Sequence, residues 1–185
     1  VFLRRTTRAL VALLVLTLGL LGAGYGTAGA ATGPEAEASA VRTLYYDSSR
    51  AAEFAKVIDD AAAIWNNSVK NVRLQKGSPA NIVILADDGW PRAQPTSLGS
   101  GRVWMGRQAV QQGYYPLRIA THELGHILGL PDRKPGPCSS LMSGSSAGTS
   151  CRNPNPNAQE IAEVDRKFAR GVLNVERLPE AVRVF

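Results

Sequence analysis

Apolar and polar positions alternate between two periods along the chain. Phe54, Ile58, Ala61 and Trp65 recur at helical spacing while Glu53, Lys56, Asp59 and Asp60 fall on other faces, which predicts a long amphipathic helix from about Ser49 to Asn67. The strand formers of Val41 to Tyr46, ended by Asp47-Ser48-Ser49, predict a first strand before it. Val72 to Gln75 predicts a short second strand, and the unbroken apolar run Ile82 to Ala86 predicts a central strand covered on both faces. A strand near Arg92 to Thr96 is confined to a sheet edge by Pro95, and an edge is where an extended peptide can add itself by backbone pairing. Arg102 to Gly106 predicts a further strand, and Arg107 to Tyr115 a connector with one short helical turn. Pro116 suits the first turn of a helix starting near Leu117, and Gly129 and Pro131 end it. Residues 133–157 carry loop composition, after which Asn157 and Glu160 form a capping box for a helix through Ile161, Val164 and Phe168 to about Gly171. The pattern as a whole predicts an α+β fold, one domain with about five strands and three principal helices.

Composition narrows this picture. A chain of 185 residues with 44% apolar content supports one compact core rather than two. Residues 1–30 read as a secretory signal, with basic Arg4, Arg5 and Arg8, an apolar run from about Ala9 to Leu21, and a small-residue end at Ala28-Gly29-Ala30. That run, about 13 residues, falls short of the ~20 needed to span a bilayer, so no membrane association is expected after signal removal. Residues 31–40 read as a short pro-segment or linker, and the mature chain is expected to begin near Ala31 or Val41. Residues 41–171 form the predicted catalytic domain, and 172–185 a C-terminal tail of unknown role. The formal charge of +6 is halved by removing the three signal arginines, and no basic run interleaved with aromatics follows. A nucleic-acid partner is therefore not expected. Export to an oxidising compartment predicts that Cys138 and Cys151, the only cysteines, form a disulfide, stabilising an otherwise irregular loop by about 3 kcal/mol.

The candidate chemistry lies on the helix after Pro116. Both histidines of the chain occur in His122-Glu123-Leu124-Gly125-His126. Four residues apart on a helix, two imidazoles stack about 6 Å apart on one face and can address one ion. A turn at Gly129 brings Asp132 back to that ion, giving zinc three protein ligands and an open fourth position for water. Glu123, adjacent to His122, is placed to act as general base. A carboxylate as third ligand leaves less positive charge on the centre than a third imidazole, and Arg133 or Lys134 would partly offset this. Glu160 and Glu163 remain alternative third ligands in a thermolysin-like arrangement. A zinc-stabilised binding protein is the competing class, and the intact Glu123 argues against it. Met142 on its own is a gap-filling core residue.

The Gly129 turn, Asp132 and Ser140-Leu141-Met142-Ser143 together resemble the metzincin metalloproteases and their Met-turn beneath the zinc. Aspartate as third ligand resembles the snapalysin family, the small extracellular neutral proteases of Streptomyces. The similarity runs from about Leu44 to Gly171 and includes Tyr45-Tyr46-Asp47, Ile64-Trp65-Asn66 and Gly136-Pro137-Cys138. It implies a metzincin-like single domain, a twisted mixed sheet of about five strands with an active-site helix, a long packing helix, a C-terminal helix and a cleft beneath an antiparallel edge strand. It implies a secreted, zinc-dependent endopeptidase acting as a monomer on protein or peptide substrates, preferring an aromatic residue after the scissile bond. Carried over by motif, His122, His126 and Asp132 hold one zinc ion, Glu123 is catalytic, Met142 marks the Met-turn, and Cys138 pairs with Cys151. Two positions depart from the family. Tyr115 and Leu117 stand where relatives carry calcium-associated Asp and Thr, and neither suits a hard cation, so calcium is not carried over. Lys134 stands where relatives carry Tyr.

Overall fold

Leu44, Tyr46 and Ser48 alternate inward along β1 (Arg42–Arg50), the strand on which the sheet begins. The computed structural model describes residues 40–169 and 183–185. The predicted signal, most of the 31–40 linker and residues 170–182 of the tail lie outside the described residues. A single 3₁₀ turn (Ala52–Phe54) leads from β1 into α1 (Ala55–Ser68), which buries Ile58, Ala61, Ala62 and Trp65. Next come β2 (Val72–Lys76), β3 (Ile82–Asp87), β4 (Arg92–Ser97) and β5 (Ser100–Gly106). Then follow α2 (Arg107–Gln111), α3 (Pro116–Ile127), a 3₁₀ segment (Leu141–Ala147), α4 (Ala158–Ala169) and β6 (Arg183–Val184).

The sheet order is β2-β1-β3-β5-β4-β6. Pairing is parallel from β2 through β5, while β4 and β6 are antiparallel to their neighbours, so the sheet is mixed, as expected for an α+β domain. Among the described residues it has six strands rather than about five, because two residues of the tail add to β4. β1 also runs on through Asp47-Ser48-Ser49, since its second half pairs with β3. In β3 only Ile82 and Ile84 are buried and the intervening residues are partly exposed, so this apolar run is fully covered on one face alone.

Trp65 is fully buried against α3, and its indole Nε1 donates to the Thr121 carbonyl at 2.9 Å. α3 is the least exposed helix, with every residue from Arg118 to Ile127 buried. Helical burial of that extent needs small residues at its crossings. A Cβ added to Gly125 would lie 2.9 Å from the Met142 sulfur and 3.2 Å from the Trp65 ring. Among the described residues no helix is long and apolar enough to cross a membrane.

Candidate metal centre

The end of α3 determines where the site residues go. Gly129 takes φ of 94°, which costs a glycine little, and the chain closes with the Leu130 amide donating to the Gly125 carbonyl and the Gly129 amide to the His126 carbonyl. This double bond pattern reverses the chain and leaves Leu130 beneath the helix. The Leu130 carbonyl then accepts a hydrogen bond from His126 Nδ1 at 2.9 Å, and the Leu141 carbonyl accepts one from His122 Nδ1 at 3.0 Å. A carbonyl can only accept, so both rings carry their proton on Nδ1 and direct an Nε2 lone pair elsewhere.

Those lone pairs converge on Asp132. Its Oδ1 lies 3.4 Å from His122 Nε2 and 3.6 Å from His126 Nε2. All three atoms are buried and lack a hydrogen-bond partner. Three electron-rich atoms facing one another repel, and a cation between them removes the repulsion; the donor set, two imidazoles and a carboxylate, suits zinc. Burial lowers the His122 pKa to about 4, against the opposing pull of Asp132, which keeps the ring neutral as a metal ligand must be. Glu123 is fully buried with neither carboxylate oxygen bonded, and desolvation followed by the charge of Asp132 raises its pKa well above the usual value.

Met142 is fully buried below Gly125, and its carbonyl accepts from the Arg133 amide at 2.8 Å, which ties the Asp132 segment to the turn. Cys138 and Cys151 are joined as a disulfide at the rear of this loop. Arg133 pairs with Glu163, whereas Lys134 Nζ lies 3.4 Å from Asp132 Oδ1, so of the two cations after the aspartate only Lys134 faces the site. The Tyr115 ring is stacked by the Arg152 guanidinium at 5.6 Å.

Residues 40–171 match the model of the Streptomyces extracellular neutral proteinase (M7) family. The chain belongs to this family. As an M7 proteinase it is an extracellular metalloendopeptidase. Among curated relatives it is 45% identical to the extracellular small neutral protease of Streptomyces caespitosus over 131 residues, covering 70% of this chain and 98% of that protein. It is 41% identical to the protein of the same name from Streptomyces coelicolor over 133 residues, covering 70% of this chain but only 61% of the relative. Among solved structures it is similar to high choriolytic enzyme 1, a hatching enzyme zinc-protease of the medaka fish Oryzias latipes, at a TM-score of 0.46 and 14% identity, covering 69% of this chain and 90% of that one.

Two residues that hold the M7 site together are not apparent from the motif. Arg118 is 2% exposed, and its guanidinium donates to the carbonyls of Asn153 at 2.6 Å and Ser140 at 2.7 Å and to the Ser143 hydroxyl at 2.9 Å. Glu160 is fully buried and accepts from the Ser140 hydroxyl and from the amides of Leu141, Met142 and Asn157. The capping box is present, with the Glu160 amide donating to Asn157 Oδ1 at 3.0 Å, but the carboxylate does a second task by accepting from the amides of the turn that carries Met142. Both of its oxygens are engaged there, and Glu163 pairs with Arg133 and Lys167, so neither acid is free to replace Asp132. Their partners are backbone groups of an irregular loop, which leave no periodic signal in the sequence.

Proposed function

We propose that this proteinase is a secreted zinc endopeptidase in which His122, His126 and Asp132 hold one zinc ion and Glu123 is the general base. The convergence of two unpartnered Nε2 lone pairs and Asp132 Oδ1 is the observation that carries the assignment. When bound there, zinc supplies the positive charge that favours ionised Glu123, acidifies a nearby water and polarises a scissile carbonyl. The residues do the rest. Leu130 and Leu141 fix the imidazole tautomers, and the closed end of α3 presents Asp132 from a separate stretch of chain. Glu123, shielded from solvent and held by no other group, takes the proton of the attacking water and delivers it to the leaving amine. An aromatic residue after the scissile bond is the preference implied by the family resemblance. No calcium is assigned at Tyr115, whose ring face is taken by Arg152.

The test pairs metal content with hydrolysis of casein. Glu123→Gln should lower turnover by roughly 10²- to 10⁴-fold, the usual contribution of a positioned base, with zinc content and folding retained. Asp132→Ala should lose zinc. Undiminished proteolysis by Glu123→Gln would sink the mechanism, and cleavage-site sequencing on a peptide library reads the aromatic preference.

A further inference from the structure

Arg183, Val184 and Phe185 lie beyond the stretch that matches the family, yet they pack into the site. β6 runs antiparallel to β4, with Arg92 opposite Val184 and Ala93 opposite Arg183, and the Phe185 amide donates to the Pro91 carbonyl at 3.0 Å. The edge open to an incoming extended peptide is thus partly covered by the chain itself. Polar contacts from three different segments hold it. Trp90 Nε1 donates to the Phe185 carbonyl at 2.8 Å, the Ser145 hydroxyl reaches the same oxygen at 3.3 Å, and Lys134 Nζ donates to the Val184 carbonyl at 2.6 Å. Lys134 is the position at which the chain departs from the family's tyrosine, so the departure and the added strand meet in one contact.

The side chain of Phe185 makes the contact specific. It is 3% exposed, while neighbouring Val184 is 44% exposed. The ring stands edge-to-face on His122 at 5.0 Å and on Tyr114 at 5.7 Å, and Tyr114 is in turn edge-on to Trp90 at 5.6 Å. An aromatic ring is thereby seated in an aromatic-walled recess against an imidazole of the metal centre.

We propose that Arg183–Phe185 is an intramolecular ligand of the substrate cleft: it lies along β4 as a short antiparallel strand and fills, with Phe185, the recess beside His122 that receives an aromatic side chain of the substrate. The inference rests on the reading of this site as a protease cleft. Substrate then binds only the fraction of molecules in which the segment is displaced, so its apparent affinity falls by that fraction while turnover of bound substrate is unchanged. Two register pairs and one buried ring make a displaceable competitor, not a permanent block.

The experiment compares the full chain with a variant lacking residues 183–185 and with Phe185→Ala, using a peptide substrate that carries an aromatic residue. Both variants should show KM lowered by about tenfold, the factor for a cleft occupied nine-tenths of the time, at unchanged kcat. The same comparison in the Glu123→Gln background, with a fluorescein-labelled peptide followed by polarisation, should show Kd lowered by a similar factor without any hydrolysis. Equal KM and Kd in all three proteins overturn the proposal. A fall in kcat and melting temperature on deletion, with no gain in affinity, also overturns it, because the segment is then part of the scaffold. If no protein cleaves the peptide, the protease reading fails, and the polarisation measurement still decides whether the segment competes.

Discussion

Each imidazole of the site is defined by the partner its second nitrogen has taken. His122 and His126 are metal-ready because Leu141 and Leu130 use up Nδ1, leaving Nε2 for an ion. Burial of His122 also has a cost that pH exposes. Its folded pKa of about 4 lies below the ordinary 6.5, so as pH falls below 6.5 the unfolded chain binds a proton there that the folded chain refuses. In metal-free protein this ring alone should cost about 3 kcal/mol of stability between pH 6.5 and 4, with no further loss below. Glu123 works in the opposite sense. Its raised pKa makes the folded state hold a proton that the unfolded chain releases above its ordinary 4.5, so its contribution declines as pH rises. The parent protein should therefore show a flattened profile, and metal-free Glu123→Gln should reveal the full decline toward pH 4 in urea unfolding. A profile of equal slope in both proteins would show that Glu123 is not held protonated.

At the scale of elements, the site is the meeting of α3 with the 3₁₀ segment, and Gly125 sets how closely they approach. Gly125→Ala places a methyl group 2.9 Å from the Met142 sulfur, next to the Trp65 ring, in a region with no exposed surface. Overpacking of this kind costs about 1–3 kcal/mol, and here it also pushes the turn that carries the Leu141 carbonyl away from His122. The expected result is a lower denaturation midpoint together with weaker zinc retention against a chelator. Gly125→Ala with unaltered zinc affinity would mean that the turn supports the fold but not the metal.

Over the whole molecule, the parts legible in the sequence are those written in local pattern. The two histidines four apart, the Pro116 start and Gly129 end of α3, the amphipathic α1 and the capped start of α4 all depend on near neighbours, and the structure has each of them, although α1 begins at Ala55 rather than near Ser49 because β1 runs on to Arg50 and a 3₁₀ turn intervenes. Asp132 was legible for the same reason, because one glycine turn connects it to the helix. Arg118, the second task of Glu160 at the Met142 turn, and β6 were not. Arg118 reads in sequence as a helix-surface cation, and only tertiary folding surrounds it with the carbonyls of residues 138–153. β6 is two residues long, too short for any alternation to register, and its place is set by the opposite edge of the sheet. Trp65 was legible as core but not as a donor to Thr121, since periodicity identifies a buried face without naming what covers it.

The engagement of Glu160 with the turn that carries Met142 has a consequence for the enzyme's survival among its own copies. A protease that takes extended peptides threatens any segment of itself whose amides and carbonyls are free. The loop from Arg133 to Asn157 has the composition of such a segment, but Glu160 occupies three of its amides, Arg118 several of its carbonyls, and the Cys138–Cys151 disulfide limits how far it can straighten. Protection of this loop against self-cleavage is expected to come chiefly from these hydrogen bonds to backbone, with only the short 3₁₀ segment Leu141–Ala147 as regular structure. Glu160→Gln, which trades a carboxylate accepting four bonds for a neutral amide, should be nicked between residues 133 and 157 during storage at concentrations where the parent remains intact. Mass spectrometry of the fragments reads the cut sites, and zinc chelation should abolish the nicking.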